Sequence, residues 1–186
     1  MASGESLYGR AMTVIRFPSF PLTGGCQCGA VRFELRAAPV VFYLCHCTTC
    51  QQQSSSAFGQ SVKVRAADVT IHGELAVFEA PSASGRPKVC EFCPKCGSRI
   101  AHGRRPGAEA FNLKGGSFDD HSWLVPAGHI WTSSKQPFVA IADNELQYAH
   151  QPPDYEALSA KWRAMTPQVG EARVVTGKGT EWQAKS

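Results

Sequence analysis

Gly25-Cys26-Gln27-Cys28-Gly29-Ala30-Val31-Arg32-Phe33-Glu34-Leu35 joins a cysteine turn directly to a strand. Ala30 to Leu35 alternates apolar and polar side chains, the period-two pattern of a half-buried strand. The Cys-x-Cys ahead of it holds two thiolates close together, and glycines flank it. Two sulfurs on one turn are half of a tetrahedral metal site. The combination recurs. Val40-Val41-Phe42-Tyr43-Leu44 is a short apolar, β-branched and aromatic run ending at Cys45-His46-Cys47-Thr48-Thr49-Cys50. Lys88 to Phe92 runs into Cys93-Pro94-Lys95-Cys96-Gly97. A strand abutting a cysteine turn, three times over, predicts a mainly β single domain with zinc knuckles.

The rest of the chain agrees with that class. Ala57–Val64, Val69–Ile71, Leu75–Phe78, Ser98–His102 and Ala110–Leu113 read as strands, parted by glycine, proline and aspartate turns, and Gly128–Trp131 is a further short apolar piece. Thr48 to Ser54 reads as a turn or two of helix. Near the end, Asp154 is placed to cap a helix running to Met165. Tyr155, Leu158 and Trp162 fall on one face of it at i, i+3 and i+7. Twelve prolines and 17 glycines favour short strands over long helices. Residues 1–21 read as a flexible arm, 22–150 as the zinc-binding domain, and 151–186 as a C-terminal helix and tail.

Eight cysteines in 186 residues raise the choice between disulfides and metal. Disulfide scaffolds are characteristic of short secreted chains, whereas clustered cysteines in a reducing compartment bind metal. The first residues lack a basic start followed by an apolar core, so no signal peptide is expected. No apolar run approaches the ~20 residues of a membrane span. The expectation is a cytoplasmic, metal-binding protein. The formal net charge of +4 at pH 7 is modest, and only Arg104-Arg105 are adjacent. That argues against a nucleic-acid surface, which needs clustered cations with interleaved aromatics.

Cys26 and Cys28 with Cys93 and Cys96 complete a four-sulfur site, which would act as a long-range cross-link. Cys45, Cys47 and Cys50 remain. Three thiolates leave zinc one free position, suited to a soft ligand such as a thiol, which coordination would ionise. The alternative is a second structural site closed by Cys90 or a histidine. His46, between two ligands, reads as structural. Cys90 reads as a spare buried thiol. His129 and Trp131 read as core or pocket wall. Lys63, Arg99, Arg104, Arg105 and Lys114 are candidates to hold substrate carboxylates, and the sequence does not choose among them.

Taken in order, Gly25–Val31, Cys45–Cys50 and Phe92–Ser98, with Ser54, Ala57-Phe58 and His129-Ile130-Trp131, resemble the glutathione-dependent formaldehyde-activating enzyme family, which shares its domain with centromere protein V. The likeness runs from about Leu22 to Tyr148. It implies a mainly β fold of packed antiparallel sheets with a structural zinc on Cys26, Cys28, Cys93 and Cys96, and a catalytic zinc on Cys45, Cys47 and Cys50. It further implies a carbon–sulfur lyase that joins formaldehyde, or another small aldehyde, to the thiol of glutathione. A zinc-stabilised binding module without catalysis is the alternative. The chain departs from the family at His46, at Gln51-Gln52-Gln53, and at Ser55, where many relatives have glycine.

Overall fold

The computed structural model describes residues 14–80, 87–104 and 106–167. Eleven strands and two α-helices lie among them. The strands are β1 (Leu22–Gly25), β2 (Arg32–Leu35), β3 (Val41–Cys45), β4 (Gly59–Arg65), β5 (Val69–His72), β6 (Ala76–Ala80), β7 (Lys88–Phe92), β8 (Arg99–His102), β9 (Ala110–Lys114), β10 (His129–Ile130) and β11 (Gln147–Tyr148). The helices are α1 (Thr48–Ser54) and α2 (Glu156–Met165). The strands form a three-stranded sheet, β1-β2-β5, and an eight-stranded sheet, β11-β10-β3-β4-β9-β8-β7-β6.

The mainly β class and the two sheets match the expectation. One edge does not follow the antiparallel pattern: β10 runs parallel to both β3 and β11. Parallel partners need a long crossover, and the chain segments on either side of β10 supply it.

Register sorts the side chains of the large sheet. Cross-strand partners share a face, and successive residues alternate. Tyr43 pairs with Ser61, Ser61 with Lys114, His102 with Asn112, and Cys90 with His102. One face therefore carries Tyr43, Cys45, Ser61, Lys114, His102, Cys90 and Lys88. The other carries Phe42, Leu44, Val62, Val64, Phe111, Leu113 and Ala101, all buried. This apolar face shares the core with Leu22, Phe33 and Leu35 of the small sheet.

The helix expected near the C-terminus forms. Asp154 Oδ1 accepts from Glu156 N at 2.9 Å, which satisfies one open amide of the first turn. Leu158 and Trp162 are fully buried, and Tyr155 packs on Tyr43 with ring centroids 5.2 Å apart. Trp162 Nε1 donates to Pro39 O at 3.0 Å, so the indole buries its ring without stranding its N–H. Truncating a side chain in that position costs about 3–5 kcal/mol.

Of the arm expected over residues 1–21, the described part, 14–21, rests on this core. Ile15 is buried and its N–H donates to Met165 O at 2.7 Å. Phe17 packs against Phe20, Trp123 and Trp162. Residues 1–13, the turn at 81–86, Arg105 and the tail from 168 lie outside the described residues.

Candidate metal centres

The first sulfur group joins two turns. Cys26 and Cys28 lie in the connection from β1 to β2, and Cys93 and Cys96 in that from β7 to β8. The turns are built alike. Gly29 and Gly97 hold φ of 78° and 74°, the left-handed region that favours glycine. Their N–H groups donate back to Cys26 O and Cys93 O. Val31 N donates to Cys26 Sγ at 3.2 Å. Gln27 N donates to Ser98 Oγ at 3.1 Å, a direct tie between the turns. All four sulfurs lie within 4.8 Å of one another. The Ser98 hydroxyl, then its backbone N–H, hold the Cys96 thiol down to about 5.

The second group sits where β3 enters α1. Cys45 ends the strand, Cys47 caps the helix by accepting from Cys50 N at 3.4 Å, and Cys50 faces inward from the first turn. These three sulfurs also lie within 4.8 Å of one another, and among the described residues no further His, Cys, Asp or Glu atom joins them. Gly59 makes room for the helix: a Cβ there would stand 3.0 Å from Cys50 Cβ.

Both groups fit zinc. Zinc–sulfur bonds of about 2.3 Å in a tetrahedron give sulfur–sulfur edges of about 3.8 Å. The contacts Cys26–Cys28, Cys28–Cys93 and Cys45–Cys47 are 3.5, 3.7 and 3.5 Å. A disulfide needs about 2.05 Å, and every cysteine is free. Each group has soft donors at the spacing of one metal ion.

The electrostatics differ. The groups that bond the sulfurs of the four-sulfur group are neutral, amides and a serine. The three-sulfur group faces cations. Lys88 Nζ lies 3.7 Å from Cys50 Sγ. Hydrogen bonds from Cys45 and Cys47, aided by Lys88 and Lys114, push the Cys50 thiol far down. The matching contacts, with burial, push Cys45 far up. Burial opposes the charge on Lys88, but attraction to the three thiolates outweighs it and raises its pKa. Lys114 moves the other way: burial lowers it, and Cys50 compensates only in part. Burial and the neighbouring Lys114 and Lys88 hold His102 neutral, well below its ordinary value.

His46 turns away from the sulfurs. Its Nε2 bonds His129 Nδ1 at 2.9 Å, and His129 Nε2 bonds Glu145 Oε2 at 2.8 Å. Burial, then His129, lowers His46 to about 4. The His46 carbonyl accepts from Gln51 Nε2 at 2.6 Å and Ser134 Oγ at 3.0 Å, and Gln136 Nε2 donates to Gln51 Oε1. His129 is thus buried beside the knuckle, and the segment after Trp131 braces it.

Cys90 belongs to neither sulfur group; its sulfur accepts from Gln53 Nε2 at 3.2 Å. Of the candidate cations, Lys114 lies near Cys50, and Arg99 lies near Lys114 and over the Phe92 ring. Lys63 sits 5.1 Å over the Tyr155 ring. Arg104 pairs with Glu91 on the far face of the sheet. Lys88, His102 and Gln53 were not singled out from sequence. The strand alternation that put Lys88 and Cys90 in phase was the available signal. A cavity of about 500 Å³ between the sheets, lined by Val69, Ile71, Leu75, Val77 and Phe111 with Glu91 and Arg104, touches neither sulfur group.

No curated protein sequence matches this chain. A crystal structure of a Rhodobacter sphaeroides protein resembles it at 19% identity, covering 68% of this chain and 99% of that one, with a TM-score of 0.42. That likeness is too distant to bear on function. The family model described as glutathione-dependent formaldehyde-activating enzyme matches residues 21–134, the span holding both sulfur groups, the β3–α1 junction and His129. With more than half of its length so matched, the chain belongs to the glutathione-dependent formaldehyde-activating enzyme family.

Proposed function

We propose that this chain is a zinc-dependent carbon–sulfur lyase. Its substrates are a small aldehyde, formaldehyde first, and the thiol of glutathione or a related molecule. Cys26, Cys28, Cys93 and Cys96 are the ligands of a structural zinc, and Cys45, Cys47 and Cys50 those of a catalytic one. The place of work is the cytoplasm. The observation that carries the reading is the three-sulfur group, with no further donor among the described residues. A closed structural site takes four donors, and a working site keeps one position for substrate.

The overall reaction adds S–H across C=O. Sulfur bonds to carbon, the proton ends on oxygen, and the reverse direction breaks the same carbon–sulfur bond. Zinc in the group would supply ionisation of the incoming thiol at neutral pH. The chain's own contribution is positional. Cys45 and Cys50 are buried, which removes competing water. The His46–His129–Glu145 chain and the Gln51 and Ser134 bonds hold the knuckle's backbone still. Fixing the thiol beside a small electrophile lowers the entropic part of the barrier.

Formaldehyde and glutathione also combine without a catalyst, so activity shows as faster exchange between free and adduct pools. NMR exchange spectroscopy on the mixture, with the zinc-loaded protein, is expected to show acceleration that disappears in Cys47→Ser. Equal exchange rates with and without the loaded protein would remove the assignment.

A further inference from the structure

The face of the large sheet that carries Cys45 is polar, yet it is covered. α1 lies over it: Cys50 abuts Gly59, and Gln53 Nε2 reaches Cys90 Sγ. On this face are Lys88, His102 and Lys114, with Arg99 close to the last two. Lys114 and His102 are 7% exposed. Lys114 Nζ, Arg99 Nε and one terminal nitrogen of Arg99, His102 Nδ1 and Gln53 Oε1 are buried without hydrogen-bond partners. Buried polar groups are ordinarily paired, and a buried charge without a partner is more costly still. Three cationic donor atoms and a histidine nitrogen left open around Lys114 mark where a ligand belongs.

Charge counting gives the sign of that ligand. Three thiolates and one divalent zinc sum to a single negative charge. Lys88, Arg99 and Lys114 bring three positive charges, leaving an excess of two. No acidic side chain among the described residues pairs with any of the three. Glu91, their neighbour in sequence, points to the opposite face and is taken by Arg104. A thiolate cancels one of the excess charges, and a carboxylate on the same molecule cancels the other.

We propose that Lys88, Arg99 and Lys114 form a carboxylate subsite beside the three-sulfur group, so that the protein selects thiols that also carry a carboxylate. This rests on the reading of Cys45, Cys47 and Cys50 as the thiol site. Lys88 Nζ is 3.7 Å from Cys50 Sγ, so the subsite starts next to the bound sulfur. A short mercapto acid meets that spacing, as does a carboxylate arm of glutathione folded back towards its own sulfur. Cys47 and Lys88 are only partly buried.

The test is binding rather than turnover, measured by calorimetry and by the visible spectrum of the cobalt-loaded protein. Two matched pairs are titrated: 3-mercaptopropionate against 3-mercaptopropionamide, and glutathione against its diethyl ester. The carboxylate member of at least one pair is expected to bind about tenfold to a hundredfold tighter, the range of a charged hydrogen bond. The pair that discriminates tells a short acid from glutathione. Lys114→Met and Arg99→Met are expected to abolish the preference while still coordinating the neutral thiol. Lys63→Met, on an unrelated lysine, should keep it. Lys114→Met without thiol should melt no lower than the parent protein, because it removes an uncompensated buried charge. A lysine serving only the fold would give a lower melt. Equal binding of acid and amide in both pairs overturns the subsite and leaves the thiol site standing. No spectral response to any thiol overturns both.

Discussion

The two sulfur groups use the same donor and are built on opposite principles. The four-sulfur group lies between elements. It bridges the β1–β2 turn of the small sheet and the β7–β8 turn of the large one, and the groups that bond its sulfurs are amides and a hydroxyl. The three-sulfur group lies within one stretch of six residues, at the junction of a strand and a helix, and its neighbours are cations. Amides directed at sulfur suit a closed metal complex, which needs no further charge. Cations left over around an incomplete donor set suit a complex that receives an anion. The difference teaches that the number of ligands is only part of a site's role; what surrounds them sets the rest.

The comparison breaks or holds first on ligand removal. Cys93→Ser takes away a link between the sheets and should prevent cooperative folding, because structural zinc binding is coupled to folding. Cys47→Ser should leave a folded chain. Thermal melts followed by circular dichroism decide this, and a greater loss in Cys47→Ser would invert the two roles. Metal release is the companion measurement. About two zinc ions per chain are expected, from one ion per donor group. A chelator should draw the first from the three-sulfur group while the circular dichroism spectrum stays unchanged. Simultaneous release of both ions would mean that the groups do not differ.

Gly59→Ala sharpens the comparison. Its Cβ would press on Cys50 Cβ and displace α1. Overpacking of this kind costs about 1–3 kcal/mol. Urea melts should show that loss, and metal titration should show weakened binding at the three-sulfur group only.

Asp119 offers a smaller effect, near the four-sulfur group. It accepts from Thr23 Oγ1 at 2.7 Å and pairs with Arg32, tying β1 to β2 just before and after the first cysteine turn. Partial burial works against its charge, but the Arg32 and Thr23 bonds prevail and hold its pKa below the ordinary carboxylate value. Because the folded-state pKa is depressed, the contribution is full above the unfolded value and is lost as pH falls through the folded one. Asp119→Asn should cost about 1 kcal/mol or less at neutral pH, since the pair is partly exposed. The gap from the parent protein should stay constant down to about pH 4, near the ordinary carboxylate value, and shrink below it. A gap that grows in acid would refute the assignment.

The smallest effect is at Ser55, which closes α1 in the left-handed region with φ of 48°. Ser55→Gly removes that strain at the cost of a freer unfolded chain, for a net gain of about 0.5–1 kcal/mol. Chemical denaturation would detect it, and metal content at both sulfur groups should not change.

Much of this was legible before the structure. The Ala30–Leu35 alternation became β2, with Phe33 and Leu35 buried. The apolar run before Cys45 became β3, buried throughout. Thr48–Ser54 became α1, and the Leu158–Trp162 face became the buried side of α2. These succeed because strand and helix periods write burial directly into residue order. The parallel pairing of β10 was not legible. It rests on a two-residue strand whose direction is set by where its flanking segments return the chain. The packing of Ile15 and Phe17 was not legible either, since isolated apolar residues gain their partners only from the folded core.

By itself the sequence determined which donors exist and how closely they are spaced along the chain, because thiol chemistry and knuckle length are local. It therefore named both sulfur groups. It also determined that Lys88 and Cys90, or Asn112 and Lys114, share a face, because alternation is local too. What only the tertiary structure decided is that this polar face is covered by α1 and set against Cys50, when polar strand positions ordinarily meet solvent. The physical reason is that burial belongs to the assembled layers. An alternating strand is the same string of residues whether its polar side meets water or a helix.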